Sequence, residues 1–322
     1  MFAESELRDA AALVQGQVGA SPAIRWPLLS QAVGADVIVK HENHLPTGAF
    51  KVRGGVTFMD WLVRAHPDTP GICTATRGNH GQSQTRAAVA AGLRSVIYVP
   101  HGNSAEKNDA MRAWGADLRV HGDDFDEARG EAERAAAAEG LFLVPSFHRE
   151  IVRGVATYAY ELLSAHPEVQ TLYVPIGCGS GICGCIAARD ALGHGAEIVG
   201  VVSEHAAGAK LSVEAGRLVE TNSAATFADG MAVRVPVQAA FDVYATGAAR
   251  ILSLSEREIA DAIRLYWRAT HNAAEGAGAA PLAGLMRERD AMRGRTCAVI
   301  LCGGNVDADR FAVLLGGGVP DP

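Results

Sequence analysis

Four short segments of this 322-residue chain carry residue types that suit covalent chemistry on a small molecule. The first is Glu42-Asn43-His44-Leu45-Pro46-Thr47-Gly48-Ala49-Phe50-Lys51-Val52-Arg53-Gly54, in which Lys51 follows a Pro-Thr-Gly turn and stands beside Phe50. A lysine that bonds to a carbonyl cofactor must be held at a fixed point. It must be partly dehydrated, so that its amine is nucleophilic, and it benefits from an aromatic wall. An isolated Phe-Lys pair is more simply a surface lysine at a helix start.

Lys51 does not stand alone. An apolar run ending at Ile176 feeds into Gly177-Cys178-Gly179-Ser180-Gly181, and an Ala-rich helical stretch follows. Glycines let successive backbone N–H groups converge on an anion at a helix N-terminus, where the dipole adds attraction, so this segment predicts a phosphate cup. The bland alternative is a tight strand–helix turn without a ligand. Thr76-Arg77-Gly78-Asn79-His80-Gly81-Gln82 and Leu301-Cys302-Gly303-Gly304-Asn305-Val306-Asp307 also follow short apolar runs. Each is expected at the end of a buried strand, the edge where open α/β sheets bind ligands.

In this order and spacing the four segments resemble the fold-type II pyridoxal-phosphate (PLP) enzymes, in the threonine/serine dehydratase branch that includes serine racemase. The resemblance covers nearly the whole chain, and Thr226-Phe227-Ala228-Asp229-Gly230 and Glu275-Gly276-Ala277-Gly278 add to it. It implies that Lys51 is the cofactor-bonding and catalytic residue, with Phe50 beside the pyridine ring and Asn79 at the ring hydroxyl. Gly177, Cys178, Gly179, Ser180 and Gly181 would hold the phosphate. Cys302 would face the ring nitrogen, and Thr76, Arg77, Gly78, Asn79 and His80 would receive the substrate carboxylate. The implied activity is an ammonia-lyase that converts a β-hydroxy-α-amino acid to a 2-keto acid and ammonia, with Lys51 as base. Phenylserine, hydroxyaspartate and a hydroxyectoine-pathway intermediate are alternative substrates. The chain is also expected to lack the C-terminal regulatory domain of longer biosynthetic dehydratases.

Several positions depart from the family pattern. Arg77 stands where relatives often have serine, which in racemases carries a proton on the second face. An arginine stays protonated, so racemisation is disfavoured, and the guanidinium is left either to contact substrate or to brace its loop. Cys302 replaces a more usual serine. A neutral thiol leaves the ring nitrogen less protonated than a carboxylate would, which suits elimination over transamination. The places of the racemase divalent-cation acids hold Val202 and Gly208, with Glu204 nearby, and no metal cage is evident. Asp229 suits a monovalent cation or a loop contact.

Gly179-Ser180-Gly181-Ile182-Cys183-Gly184 is also formally a dinucleotide fingerprint, with Glu204 about twenty residues on. That reading leaves Lys51, Asn79 and Cys302 without a role. Composition is that of a soluble globular enzyme, 48% hydrophobic and 20% charged. A net charge of −7 without basic blocks argues against nucleic acid. No apolar run approaches a membrane span, and Met1 to Glu6 is acidic, unlike a signal peptide. Six cysteines without a CxxC pair read as reduced thiols, so a cytoplasmic protein is expected, acting on a small amino acid as a homodimer. A metal cluster of Cys178, Cys183 and Cys185 is disfavoured, because a Gly turn and a helix start occupy that stretch.

The elements that must position these residues alternate. Strands are predicted at 37–40, 72–74, 95–99, 117–120, 141–144, 172–176, 198–202, 251–254 and 298–301. Helices are predicted at 80–91, 104–114, 124–139, 154–166, 181–192 and 256–271. This is an α/β pattern of parallel sheets with helices on both faces. Residues 71–148 read as a small mobile domain inserted in a large cofactor-binding one made of 1–70 and 149–322.

Overall fold

The computed structural model describes residues 1–322. Ten strands form two sheets: β1 (Ala23–Arg25), β2 (Asp36–His41), β3 (Gly71–Ala75), β4 (Arg94–Val99), β5 (Asp117–Val120), β6 (Phe142–Leu143), β7 (Thr171–Pro175), β8 (Glu197–Ser203), β9 (Arg250–Leu254) and β10 (Thr296–Leu301). The larger sheet runs β1-β2-β10-β7-β8-β9 and the smaller β5-β4-β3-β6. Every pairing is parallel except β1 with β2. Central strands such as β7, β8 and β10 are buried almost end to end, as parallel strands covered on both faces must be. The larger sheet and its helices share one continuous apolar core, while the smaller sheet has two small cores of its own.

All nine predicted strands are present within a residue or two. The short antiparallel β1, three residues long, carried too little pattern to be read. Among the helices one start differs markedly. Gly154 was expected to open a helix but lies inside Arg149–Ala165, which begins five residues earlier with the ring of His148 accepting the Glu150 N–H. Gly154 serves close approach: a Cβ there would collide with the Arg53 carbonyl of the neighbouring helix Lys51–Ala65. The predicted capping box at Ser255 forms, with Ser255 Oγ accepting the Glu258 N–H and Glu258 accepting that of Ser255.

The topology gathers the chemistry. β2, β10 and β7 are neighbours in the larger sheet, and their C-terminal ends release the segments that hold Lys51, Cys302 and Gly177. The C-terminal end of β3 in the other sheet releases Thr76. Two sheet edges therefore face one crevice, where α/β folds place their ligands.

Candidate active site

Lys51 is the first residue of its helix, preceded by Phe50. The Phe50 N–H donates to the Cys302 carbonyl at 2.8 Å, which ties the end of β10 to the lysine turn. Ala49 and Gly303 bridge alongside. Lys51 Nζ lies 3.4 Å from Ser180 Oγ and 4.9 Å from the centre of the Phe50 ring. The helix is anchored two residues on by Arg53, which is fully buried. Its guanidinium meets Glu42 at 2.7 Å and Glu161 at 2.8 Å, and Lys40 joins Glu161 at 2.6 Å. Two cations and two carboxylates therefore balance one another. Such a cluster fixes geometry more surely than it adds stability.

The chain has four lysines. Lys40 is held by Glu161, Lys107 by Asp229 and Lys210 by Glu214. Lys51 alone has no carboxylate partner, only a hydroxyl.

The glycine turn after β7 opens the helix Ser180–Ala191. Gly179 holds the left-handed region at φ 96°, and a Cβ there would lie 2.5 Å from that of Ala240. At Gly177 a Cβ would collide with the Gly230 carbonyl. No acceptor in the chain takes the N–H groups of Gly177, Cys178, Gly179, Ser180, Gly181 or Ile182. Six free donors at and just before a helix N-terminus suit a dianionic phosphate, so the residues present fit pyridoxal phosphate. Gly184, the third glycine of the dinucleotide fingerprint, packs the helix against Ala156. Glu204, its acidic partner, lies in an exposed 3₁₀ turn 3.7 Å from His205. The thiols of Cys183 and Cys185 turn separately to the Ala240 carbonyl and the Tyr158 hydroxyl.

A second helix N-terminus lies near Lys51, whose carbonyl accepts from Ser83 Oγ at 2.6 Å. Thr76 Oγ1 accepts the N–H of Gly78 at 3.1 Å and of Gly81 at 3.4 Å, folding the turn that starts the helix Asn79–Ala90. The N–H groups of Asn79 and His80 take no acceptor in the chain. Burial, with the Lys51 ammonium nearby, pushes the His80 imidazole down to about 3, so it is neutral at physiological pH. Arg77 is exposed and makes no hydrogen bond or ion pair with the rest of the chain, which removes the bracing contact that one reading of it required. Cys302 is buried. Burial and the nearby Glu275 push its thiol well above the ordinary range, so it stays neutral.

Glu275, Asn305 and Lys107 carry no local sign of a site role, yet Glu275 and Asn305 contact Asn79 and the Lys107 stem packs against Gly78. The Asn79 amide nitrogen donates to both Glu275 oxygens, at 2.8 and 3.0 Å, and its oxygen accepts from Asn305 at 2.7 Å. Lys107 sits 2.6 Å from Asp229, so this carboxylate has an ammonium of the chain as its cation. Glu275 and Asn305 do lie inside the Glu-Gly-Ala-Gly and Cys-Gly-Gly-Asn segments, but nothing local marks a partner some two hundred residues away.

The chain is similar to known proteins over most of its length. The family model for pyridoxal-phosphate dependent enzymes matches residues 14–303. An L-threonine ammonia-lyase of Geobacter sulfurreducens is 35% identical over 289 residues, 89% of this chain and 71% of that one. An L-threo-3-hydroxyaspartate ammonia-lyase of a Pseudomonas species is 30% identical over 310 residues, 96% and 97% of the two chains. The solved structure of the processed form of threonine deaminase isoform 2 from Solanum lycopersicum superposes with a TM-score of 0.89 at 25% identity, covering 98% of this chain and 94% of that one. By the match over most of its length and by its two-sheet α/β fold, the chain belongs to the pyridoxal-phosphate dependent enzyme family.

Proposed function

We propose that the protein is an ammonia-lyase that removes water from a β-hydroxy-α-amino acid of the threonine/serine type, giving a 2-keto acid and ammonia. The observation that carries this reading is Lys51: the one lysine without a carboxylate partner, placed beside a ring of unpaired N–H groups. Bound pyridoxal phosphate supplies an electron-withdrawing ring in conjugation with the substrate nitrogen.

The chain's own residues do the rest. Lys51 would hold the cofactor covalently in the resting enzyme. Once freed, its amine takes the proton from the substrate α-carbon. Phe50 walls one side of the ring, and the N–H groups of Gly177 to Gly181 bind the phosphate. Asn79 would lie at the ring hydroxyl. The Cys302 thiol, kept neutral by burial, would face the ring nitrogen without stabilising its protonated form. The turn from Thr76 to His80 offers its free N–H groups to the substrate carboxylate. The β-hydroxyl would leave as water with the proton that Lys51 took, and the released enamine would tautomerise and hydrolyse.

Residues 71–148 would form the small mobile domain, since they build the smaller sheet and hold two small apolar clusters, although Ile72, Ala87, Ala88 and Val144 join the large core. No helix is long and apolar enough to cross a membrane. We place the enzyme in the cytoplasm as a homodimer, a reading that rests on six free thiols for the compartment and on the family resemblance for the dimer.

One observation favours a second substrate reading. Arg77, exposed and unpartnered beside the carboxylate turn, suits a substrate with a second acidic group such as hydroxyaspartate. Two of the relatives are named L-threo-3-hydroxyaspartate ammonia-lyases. The test is 2-keto-acid release from threonine, serine, phenylserine and hydroxyaspartate by the holoenzyme. Release from at least one supports the reading, and none from any rejects it.

A further inference from the structure

We infer that Glu275 is a positioning residue that fixes the direction of the Asn79 amide, and through it the grip on the cofactor. The inference rests on the reading above that Asn79 faces the pyridoxal ring.

The direction is set in a chain of obligatory donors and acceptors. The Thr47 carbonyl can only accept, so the Asn305 side chain presents its nitrogen there, at 2.8 Å. That same nitrogen donates to Asn79 at 2.7 Å, so the facing Asn79 atom must be its oxygen. The Asn79 nitrogen then points at Glu275, whose two oxygens straddle it at 2.8 and 3.0 Å. A reversed Asn79 amide would face nitrogen to nitrogen at Asn305 and oxygen to oxygen at Glu275. The Asn305 end forbids it outright, and the Glu275 end forbids it while the carboxyl is ionised. No other atom of the chain accepts from the Asn79 nitrogen.

The surroundings are built for this network. Gly303 leaves room for the carboxylate, since a Cβ there would collide with Glu275 Oε1. Gly48, at φ 67°, leaves room for Asn305 in the same way. Glu275 is 7% exposed, and its own N–H donates to the Gly303 carbonyl at 3.2 Å. Asn79 belongs to the segment that leaves the smaller sheet, whereas Glu275 and Asn305 belong to the larger sheet's side. Without Glu275 the Asn79 amide would be held from one end only, by a partner across the crevice.

A double-mutant cycle read by pyridoxal-phosphate affinity of the resolved apoprotein tests this. Asn79→Ala is expected to weaken the dissociation constant roughly tenfold or more, and Glu275→Ala by a similar factor. The double variant is expected to be no worse than Asn79→Ala alone. Glu275→Gln, which keeps an acceptor oxygen toward Asn79, is expected to recover most of the affinity. Thermal melts of the apoproteins identify any variant that fails to fold, and where Glu275→Ala does, Glu275→Leu, which fills the space but cannot accept, replaces it in the cycle. Additive losses would show that Glu275 acts independently of Asn79 and overturn the inference. An unchanged affinity in Asn79→Ala would instead reject the placement of Asn79 at the cofactor, a separate failure.

Discussion

Lys51 Nζ and Ser180 Oγ stand 3.4 Å apart although 129 residues separate them in sequence. One opens the helix that follows β2, and the other opens the helix that follows β7. A group bonded to the first therefore reaches the N-terminal donors of the second without any rearrangement of the backbone. The sheet order explains the meeting, since β10 is the one strand between β2 and β7.

Cys302 lies in the same edge, and its neutrality is a property of its surroundings. Burial and Glu275 both disfavour a negative charge there. Cys302→Ser is expected to retain most ammonia-lyase activity. Cys302→Asp places a second carboxyl near Glu275, and is expected to lose activity roughly tenfold or more while gaining transamination. Keto-acid release and amino transfer, measured in the three forms, check this. Equal rates in all three would mean that Cys302 does not meet the ring nitrogen.

Arg77 separates substrates and outcomes. If its guanidinium binds a second substrate carboxylate, Arg77→Ala should cost about 1–3 kcal/mol in kcat/KM for hydroxyaspartate and little for serine. Wild type is expected to return almost none of the mirror-image amino acid, because no second proton carrier stands at that position. Arg77→Ser is expected to gain slow racemisation. Chiral chromatography of recovered serine reads it, and substantial racemisation by wild type would contradict the assignment.

The cup can be tested by one methyl group. Gly179→Ala introduces a Cβ 2.5 Å from Ala240 at a φ of 96°, so the turn must move. A cost of about 1–3 kcal/mol in cofactor binding is expected, read by titrating apoprotein with pyridoxal phosphate. Unchanged binding would place the phosphate elsewhere.

His41 should make stability depend on pH. It is fully buried, and the Trp26 indole N–H donates to its Nε2 at 2.9 Å. Burial, helped by His44, pushes its imidazole down to about 4 from 6.5. The unfolded chain thus takes up a proton near pH 6.5 that the folded chain refuses. The stability His41 confers is full above pH 6.5 and declines as pH falls toward 4, by up to about 1.4 kcal/mol per unit. Urea titrations between pH 7.5 and 4.5 should show a shallower decline in His41→Gln. Identical slopes would contradict this.

Much of this was legible in the sequence because the site is made of loops that follow apolar runs. The glycine turn after β7 and the Gly-Asn-His turn after β3 carry their local reasons with them, in Gly179 and in the Thr76 hydroxyl. What stayed hidden is pairing between distant segments. Arg53 gives no sign that it will meet Glu42 and Glu161 in a buried cluster, and Asn79 none that it will meet Glu275. Gly154 misled for a related reason: a glycine needed for helix–helix contact has the same local appearance as one that ends or begins a helix. Arg77 was ambiguous in the sequence, and it is the lack of any intramolecular partner that favours a substrate contact.

The central claim, that Lys51 holds the cofactor, has a direct measurement. The purified protein, loaded with pyridoxal phosphate and yellow, is reduced with borohydride, digested and mapped by mass spectrometry. Lys40, Lys107 and Lys210 are each held by a carboxylate, so the pyridoxyl mass is expected on the peptide containing Lys51 and on no other. A label on any of those three lysines, or a protein that stays colourless with added pyridoxal phosphate, would contradict the account.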